Sequence, residues 1–159
     1  MARIYNDGIA GREATFETRP RTADEVAAWL EDELPLLVAE RDGDVVGFAR
    51  LTSYSDRCVY EGIAEYGIYL DTSARGLGLG TELLEALAAA AEDAGIYKLT
   101  AKLFVTNDAS LALARRCGFR EVGIHRRHGR LDGEWRDVLV VERLLGEAAW
   151  DGRTSTPAG

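Results

Sequence analysis

The sequence is poor in the residues that metal sites need and has no stretch apolar enough to span a membrane. Its 159 residues include 2 cysteines and 2 histidines, and Cys58, Cys117, His125 and His128 do not have the spacing of zinc ligands. We expect both cysteines to be small buried hydrophobic residues. No run approaches the roughly 20 apolar residues of a membrane-spanning helix, and the first residues lack the basic and apolar regions of a secretory signal. These absences predict a cytoplasmic protein that holds no metal and binds no membrane.

An excess of acidic residues sets the chain apart from proteins that bind nucleic acids. Asp and Glu number 27 and Lys and Arg 19, which gives a net charge of −8. Such a field repels phosphate backbones, so we expect no sequence-independent binding of DNA or RNA. Hydrophobic residues make up 47% and charged residues 29%, as in ordinary globular proteins. The length predicts one domain over residues 1–150, followed by a flexible tail over 151–159 that is rich in Gly, Ser, Thr and Pro.

Hydrophobic periodicity and turn residues predict a mixed α/β domain. We expect a helix to about residue 6, a helix over 22–33 that a capping box at Thr22 and Glu25 opens, and strands over 36–40, 45–51 and 61–70. A helix over 78–94, a strand over 97–105, a helix that Asn107 or Asp108 caps, and strands over 119–127 and 135–144 follow. The crossover from strand 61–70 to strand 97–105 predicts one parallel pair inside an otherwise antiparallel sheet.

A glycine-rich turn precedes the helix at 78–94. It reads Arg75-Gly76-Leu77-Gly78-Leu79-Gly80-Thr81, and its glycines allow the backbone to bend sharply and bring several amide groups together. The amides at a helix N-terminus and the helix dipole both favour negative charge. Arg75 adds a guanidinium that suits phosphate oxygens. The turn therefore predicts a site for a phosphate-bearing ligand, with a tight turn that holds no ligand as the alternative.

Three phosphate-binding patterns compete for this turn. A nucleoside triphosphatase loop requires Lys after the last glycine, where this chain has Thr81. The dinucleotide fingerprint requires another glycine at that position and an acidic residue near the end of the next strand, and neither is present. The third pattern, Arg/Gln-x-x-Gly-x-Gly/Ala, is typical of acyl-CoA-dependent N-acetyltransferases, and Arg75, Gly78 and Gly80 match it. The turn favours acyl-CoA over the other two ligands.

Other segments extend this match along the chain. With them the sequence resembles the GNAT N-acetyltransferase superfamily over nearly its whole length, and within it the phosphinothricin acetyltransferase group. The resembling segments are Ile4-Tyr5-Asn6-Asp7-Gly8-Ile9, residues 14–22, Arg57-Cys58-Val59-Tyr60, Ala64-Glu65 with Tyr69, Asn107-Asp108-Ala109-Ser110, Gly118-Phe119 and Gly133-Glu134-Trp135-Arg136-Asp137-Val138.

The resemblance implies a fold and a cosubstrate. The fold is a mostly antiparallel sheet in which the strand before the glycine turn splays from the strand after the helix, and acetyl-CoA lies in the gap. The pantetheine arm would pair with the backbone of the first strand, and the pyrophosphate would lie on the amides of the turn. Relatives are often dimers, which implies a homodimer here. The implied cofactor-binding residues are Ile68, Tyr69, Leu70, Arg75, Gly76, Leu77, Gly78, Leu79, Gly80, Thr81, Asn107 and Ser110.

The resemblance also implies a catalytic base and an acceptor pocket. Glu65 matches the family's proposed catalytic glutamate, and strand alternation places it beside Ile63, Gly67 and Tyr69, apolar neighbours that would make its carboxylate a better proton acceptor. A solvated carboxylate at a strand edge is the alternative. The implied acceptor is the α-amine of a small acidic amino-acid analogue. Its pocket would use Arg57 and Tyr60, with Phe16, Arg19 and Trp135 as walls.

The chain departs from the family at three places. It has Ala114 where relatives carry His or Tyr, which removes the expected proton donor to the departing thiolate and leaves Ser110 or water as substitutes. The chain starts within the first helix, so its sheet is expected to lack one edge strand or the natural N-terminus to lie upstream. Gly67 replaces a small hydroxyl residue. The sequence favours an N-acetyltransferase of small amino acids or their phosphinate, arsinate or sulfone analogues. A protein or peptide N-acetyltransferase and a non-catalytic CoA-binding domain remain alternatives.

Overall fold

Within residues 1–149, four α-helices and six β-strands follow one another in the order that the sequence predicts. The structure is a computed structural model that describes residues 1–149. The helices are α1 (Ala2–Ala10), α2 (Ala23–Ala27), α3 (Leu79–Asp93) and α4 (Asp108–Arg116). The strands are β1 (Leu36–Arg41), β2 (Asp44–Ser53), β3 (Ile63–Leu70), β4 (Lys98–Phe104), β5 (Arg120–Leu131) and β6 (Glu134–Leu144). The tail expected over 151–159 lies outside the described residues.

The strands form one mixed sheet in the order β1-β2-β3-β4-β6-β5. Among the described strands, only β3 and β4 are parallel, and their pairing covers Ile63–Glu65 against Lys98–Thr100 before it stops. On its other side β3 pairs with β2 as far as Leu70. The two parallel strands therefore separate beyond Glu65 and leave a V-shaped opening, which confirms the predicted fold class with its splayed pair.

The two faces of the sheet carry different helices. Neighbouring strand residues point to opposite faces, and on β2 the buried Phe48 packs with α1 while the buried Ala49 packs with α3. Leu84 and Leu87 of α3 are fully buried in the larger core, and each contributes about 2 kcal/mol. Phe48 pairs with Tyr69 across β2 and β3, so Tyr69 lies on the α1 face of the sheet. Glu65 is four residues before Tyr69 on the same strand and therefore lies on the same face.

The first two helices differ in length from the prediction. Helix α1 extends to Ala10 instead of residue 6, because Ile4, Tyr5 and Ile9 all bury against the sheet. The capping box of Thr22 and Glu25 is confirmed, with both reciprocal hydrogen bonds present. Helix α2 is nevertheless shorter than predicted, since the chain tightens into a 3-10 turn over Ala28–Glu31 and is extended at Asp32.

Strand β5 is longer than predicted. The sequence suggests that it stops at residue 127, but it continues to Leu131 through an irregularity between His125 and Gly129. Arg127 adopts a positive φ of 49° there, and its amide donates to the Asp137 carboxylate at 2.7 Å. Such a bulge absorbs extra residues without ending the strand.

The described part of the chain contains no strand before α1, and β1 forms one edge of the sheet.

None of the helices within residues 1–149 combines the length and the apolar character that a crossing of the bilayer requires.

Candidate functional site

The glycine-rich turn presents open backbone amides at the start of α3. Gly76 and Gly78 have positive φ values of 75° and 80°, a conformation that glycine adopts without steric cost. Apart from the adjoining residues, no atom of the described chain lies within 4 Å of a Cβ built at either glycine. Gly78 is the N-cap of α3, and none of the described side chains caps this end, so the first amides of the helix have no partner within it. The turn thus has the geometry of an anion-binding helix N-terminus.

A cleft of about 490 Å³ opens over this turn. It is lined by the predicted cofactor residues Ile68, Tyr69, Leu70, Arg75, Gly76, Gly78, Gly80, Thr81, Asn107 and Ser110. Of that prediction, only Leu77 and Leu79 are absent from the lining of the cleft. Leu77 is 56% exposed, so its side chain faces solvent instead of the cleft. Three separate segments of the sequence therefore meet in one cleft.

Helix α1 forms a wall of the cleft that the sequence did not assign to the site. Asp7, Gly8, Gly11 and Glu13 line it from this side. At Gly8 a Cβ would lie 3.0 Å from the Tyr69 ring, so glycine is required for the helix to approach β3 this closely. Gly8, the one glycine within an otherwise amphipathic helix, was the available signal for this contact.

Helix α4 forms the opposite wall. Asn107 caps it by accepting from the Ser110 amide at 3.1 Å, and its side-chain amide donates to the Glu13 carbonyl at 3.0 Å. Asn107 therefore also ties α4 to the segment after α1. The Arg116 guanidinium reaches the Thr81 hydroxyl at 3.3 Å and adds a second cation beside the glycine turn, after Arg75.

Part of the β3 backbone borders the cleft as a free strand edge. The described pairing with β4 ends at Glu65, so beyond it the β3 groups that point towards β4 are open to an extended ligand. Tyr69 stacks on Phe48 with ring centroids 5.4 Å apart. Burial raises the pKa of the Tyr69 phenol well above its usual value, so the ring is a neutral, fixed part of this border.

Glu65 has a neighbour that the sequence did not predict. Lys102 Nζ lies 2.5 Å from Glu65 Oε1, whereas the sequence led us to expect an apolar neighbourhood. Glu65 pairs with Thr100, and Lys102 lies two residues further along β4 on the same face. The Glu65 side chain is 30% exposed, so it is neither deeply buried nor a fully solvated edge carboxylate.

The predicted acceptor residues fall into two separate groups. Arg57 lies over the Tyr60 ring at 5.6 Å, in the segment that enters β3 near the start of β4. Phe16 packs on Phe104 at 4.7 Å, at the end of β4, and Trp135 lies further on, with Arg130 over its ring at 4.3 Å. The 7 residues of β4 span about 20 Å, so the two groups lie near opposite ends of this strand. Arg19 pairs with Glu25 at 2.7 Å near the α2 cap.

Ala114 does not reach the cleft. It is 1% exposed and packs in the larger core, whereas Ser110, one turn earlier on α4, lines the cleft. Within residues 1–149 no three His, Cys, Asp or Glu side chains are grouped to hold a metal ion.

Comparisons with known proteins agree with this geometry. The sequence profile of the acetyltransferase (GNAT) family matches residues 3–119. A Pseudomonas aeruginosa protein named L-methionine sulfoximine/L-methionine sulfone acetyltransferase is 33% identical over 150 residues, with 89% of this chain and 86% of that protein covered.

Two solved structures share the fold. A phosphinothricin acetyltransferase from Sinorhizobium meliloti in complex with acetyl-CoA is 29% identical with a TM-score of 0.87, covering 98% of this chain and 86% of that one. A ribosomal-protein-alanine N-acetyltransferase from Brucella melitensis is 33% identical, also with a TM-score of 0.87, covering 91% of both chains. With its cleft, its splayed strands and these matches, the chain belongs to the acetyltransferase (GNAT) family and uses acetyl-CoA as the acetyl donor.

Proposed function

We propose that the protein transfers the acetyl group of acetyl-CoA to the α-amine of a small amino acid or of its phosphinate, arsinate or sulfone analogue. The observation that carries this proposal is the cleft, which combines a glycine turn at a helix N-terminus with an open strand edge. The named substrates of two similar proteins, phosphinothricin and methionine sulfoximine or sulfone, support the acceptor class. Such activity would detoxify these amino-acid analogues.

In this proposal acetyl-CoA lies along the cleft from the glycine turn to the opening between β3 and β4. Its diphosphate accepts hydrogen bonds from the amides between Gly76 and Thr81, with Arg75 as a counter-ion. Its pantetheine arm pairs with the backbone between Ile68 and Leu70 as an added strand. Leu77 and Leu79 contribute their backbone rather than their side chains, which is consistent with the exposure of Leu77.

Acetyl-CoA supplies an acetyl thioester, which a neutral amine attacks. We propose that Glu65 accepts the proton of the amine, directly or through one water. The carbon–nitrogen bond forms, the carbon–sulfur bond breaks, and the thiolate leaves. Ser110 or water supplies the proton to the thiolate, because Ala114 has none to give. Since a thiol with a pKa of about 8.5 leaves tolerably as the thiolate, we expect slow rather than absent turnover.

We keep Arg57, Tyr60, Phe16 and Trp135 as proposed acceptor residues. A small amino acid is too short to touch both groups in one chain, which supports a homodimer in which each pocket draws on two copies. The exposed edge strand β5, with Val122 and Ile124 on its surface, offers an unpaired strand edge for such contact. The mass in solution, measured by light scattering, tests this. A cytoplasmic location, where acetyl-CoA is abundant, remains part of the proposal.

A thiol-release screen with acetyl-CoA tests the function. The acceptors are phosphinothricin, arsinothricin, methionine sulfone, methionine sulfoximine, ordinary amino acids, polyamines and a peptide with N-terminal alanine. We expect release with the free amino-acid analogues above all others. Preference for the peptide would favour a protein N-acetyltransferase, as the ribosomal-protein-alanine neighbour suggests. Binding of CoA without release on any amine would favour a non-catalytic CoA-binding domain.

A further inference from the structure

The chain holds only two lysines, Lys98 and Lys102, and both lie on the same face of β4. Lys98 Nζ pairs with Glu142 at 3.2 Å, and Arg120 pairs with the same carboxylate. Those charges lie across β4, β6 and β5, away from the opening between β3 and β4. Lys102 instead pairs with Glu65, the carboxylate to which we assign the proton transfer.

The Glu65–Lys102 pair lies at the vertex of the V-shaped opening. The described β3–β4 ladder ends at Glu65 and Thr100, so Lys102 is already on the diverging part of β4. Side-chain exposure of 30% and 42% leaves both groups accessible. Among the described residues, a Cβ at Gly67 would meet only the Tyr69 ring within 4 Å, at 3.5 Å, so no other side chain covers the strand surface directly beside Glu65.

The pair presents a problem for the proposed reaction. A carboxylate that is bound to an ammonium group is not free to accept a proton from the acceptor amine. A free α-amino acid carries its own ammonium and carboxylate on one carbon, and these charges complement Glu65 and Lys102. When such a zwitterion binds, its carboxylate can replace Glu65 as the ion-pair partner of Lys102. Its ammonium group can replace Lys102 as the partner of Glu65, so each charge keeps a partner.

We propose that Lys102 binds the α-carboxylate of the acceptor and thereby releases Glu65 to the α-amine, an inference that rests on the proposed function. Lys102 is then the residue that makes the enzyme specific for free amino acids. An amide, a peptide N-terminus or a polyamine offers no carboxylate for Lys102, which stays on Glu65. The acidic group on the side chain of an analogue would still be bound by the acceptor residues proposed above, such as Arg57.

The test compares acids with their amides in the wild type and three variants of the 159-residue chain. The acceptors are L-phosphinothricin, L-methionine sulfone and the α-carboxamide of each, and the enzymes are the wild type, Lys102→Met, Lys102→Arg and Lys98→Met. In Lys102→Met we expect KM for the acids to rise about tenfold, the size of one lost charged hydrogen bond at a half-exposed site. Turnover of the carboxamides should stay the same or rise. Dividing the acid-to-amide ratio of each variant by that of the wild type cancels the difference in intrinsic reactivity between the amine of the acid and the amine of the carboxamide.

The controls separate specificity from damage to the fold. Lys98→Met removes the same charge from the same strand face and should leave the acid-to-amide ratio within about twofold of the wild type. Lys102→Arg keeps the charge and should restore most of the preference. Undiminished acetylation of the carboxamides in Lys102→Met shows that this variant is folded.

Two results would overturn the inference in different ways. An unchanged acid-to-amide ratio in Lys102→Met, with an active wild type, contradicts the role of Lys102 and leaves the proposed function standing. A wild type that binds acetyl-CoA but acetylates neither acid contradicts the proposed function, and this inference fails with it.

Discussion

Glu65 lies where β3 leaves its parallel partner, and its carboxylate is held by Lys102 across that gap. Replacement by the isosteric amide removes the proton acceptor without changing the shape of the site. We predict that Glu65→Gln lowers kcat about 100-fold, a typical contribution of a general base, while the affinity for acetyl-CoA stays unchanged. Steady-state thiol release and calorimetry measure the two effects.

Glu142 provides the matched control at the residue scale. It also carries a carboxylate on the α1 face of the sheet and also pairs with a lysine, Lys98. Glu142→Gln should retain the activity of the wild type, because Glu142 lies on β6 behind β4 and its ion-pair partners, Lys98 and Arg120, are not part of the proposed site. Equal losses in both variants would mean that Glu65 acts only through stability.

Individual side chains were the hardest level to foresee. Motif spacing brought Asn107 and Ser110 to the cleft, because the N-cap geometry that predicts the helix also fixes their direction. Lys102 was missed, since a contact between two strands depends on their register, which the sequence does not display. Arg116 was missed for the same reason, as it approaches Thr81 from a different helix.

At the element scale, the glycine turn and α3 act as one unit. Gly78→Ala places a Cβ where φ is 80°, which costs about 1–2 kcal/mol of stability, and on the side where the diphosphate is proposed to lie. We predict that each kcal/mol of lost stability lowers the melting temperature by about 2–4 °C. We also predict that the variant binds CoA about tenfold more weakly.

Gly43 separates the two effects. It has a φ of 85° in the β1–β2 turn, and a Cβ there also meets nothing within 4 Å. Gly43→Ala should therefore lower the melting temperature by a similar amount and leave CoA binding intact. Equal CoA affinity in both variants would contradict the role assigned to the turn at Gly78.

Element identity followed from the sequence because the local signals agree with the tertiary structure. The Thr22 capping box, the turn at Gly43 and the stop after α3 all depend on residues close in the chain. Lengths failed where distant contacts decide, as in α1, whose last turn is held by packing on the sheet, and in β5, whose bulge depends on Asp137 of the neighbouring strand.

At the scale of the whole molecule, two buried tyrosines make the free energy of unfolding fall at alkaline pH. Burial raises the pKa of Tyr66 and of Tyr69 above the ordinary value of tyrosine. The folded chain keeps both phenols neutral, whereas in the unfolded chain they ionise at about pH 10. The stabilisation is therefore complete below that pH and is lost above it. We predict that the melting temperature falls progressively as the pH rises above about 10.

Tyr66→Phe checks the cause of this loss. The variant keeps the ring that packs against Phe119 at 5.0 Å and removes the ionisable group. Its melting temperature should fall less steeply over the same pH range than that of the wild type. Parallel curves for the two proteins would show that other groups drive the alkaline loss.

The acceptor pocket shows the limit of the sequence at this scale. Arg57 with Tyr60 and Phe16 with Trp135 belong to motifs of one family, but β4 separates them within the chain. Spacing along a sequence contains no information about which surfaces of two copies meet. The cofactor cleft was predictable because its main residues flank one βαβ crossover.

Calorimetric titration with CoA, dephospho-CoA and pantetheine tests most directly whether backbone amides of the glycine turn bind a diphosphate. CoA and dephospho-CoA, which both contain the diphosphate, should each bind once per chain. Pantetheine, which lacks it, should bind at least about 100-fold more weakly, because it loses the charge-assisted hydrogen bonds to the turn. Equal affinities for CoA and pantetheine, or no heat with CoA at two temperatures, would contradict this account.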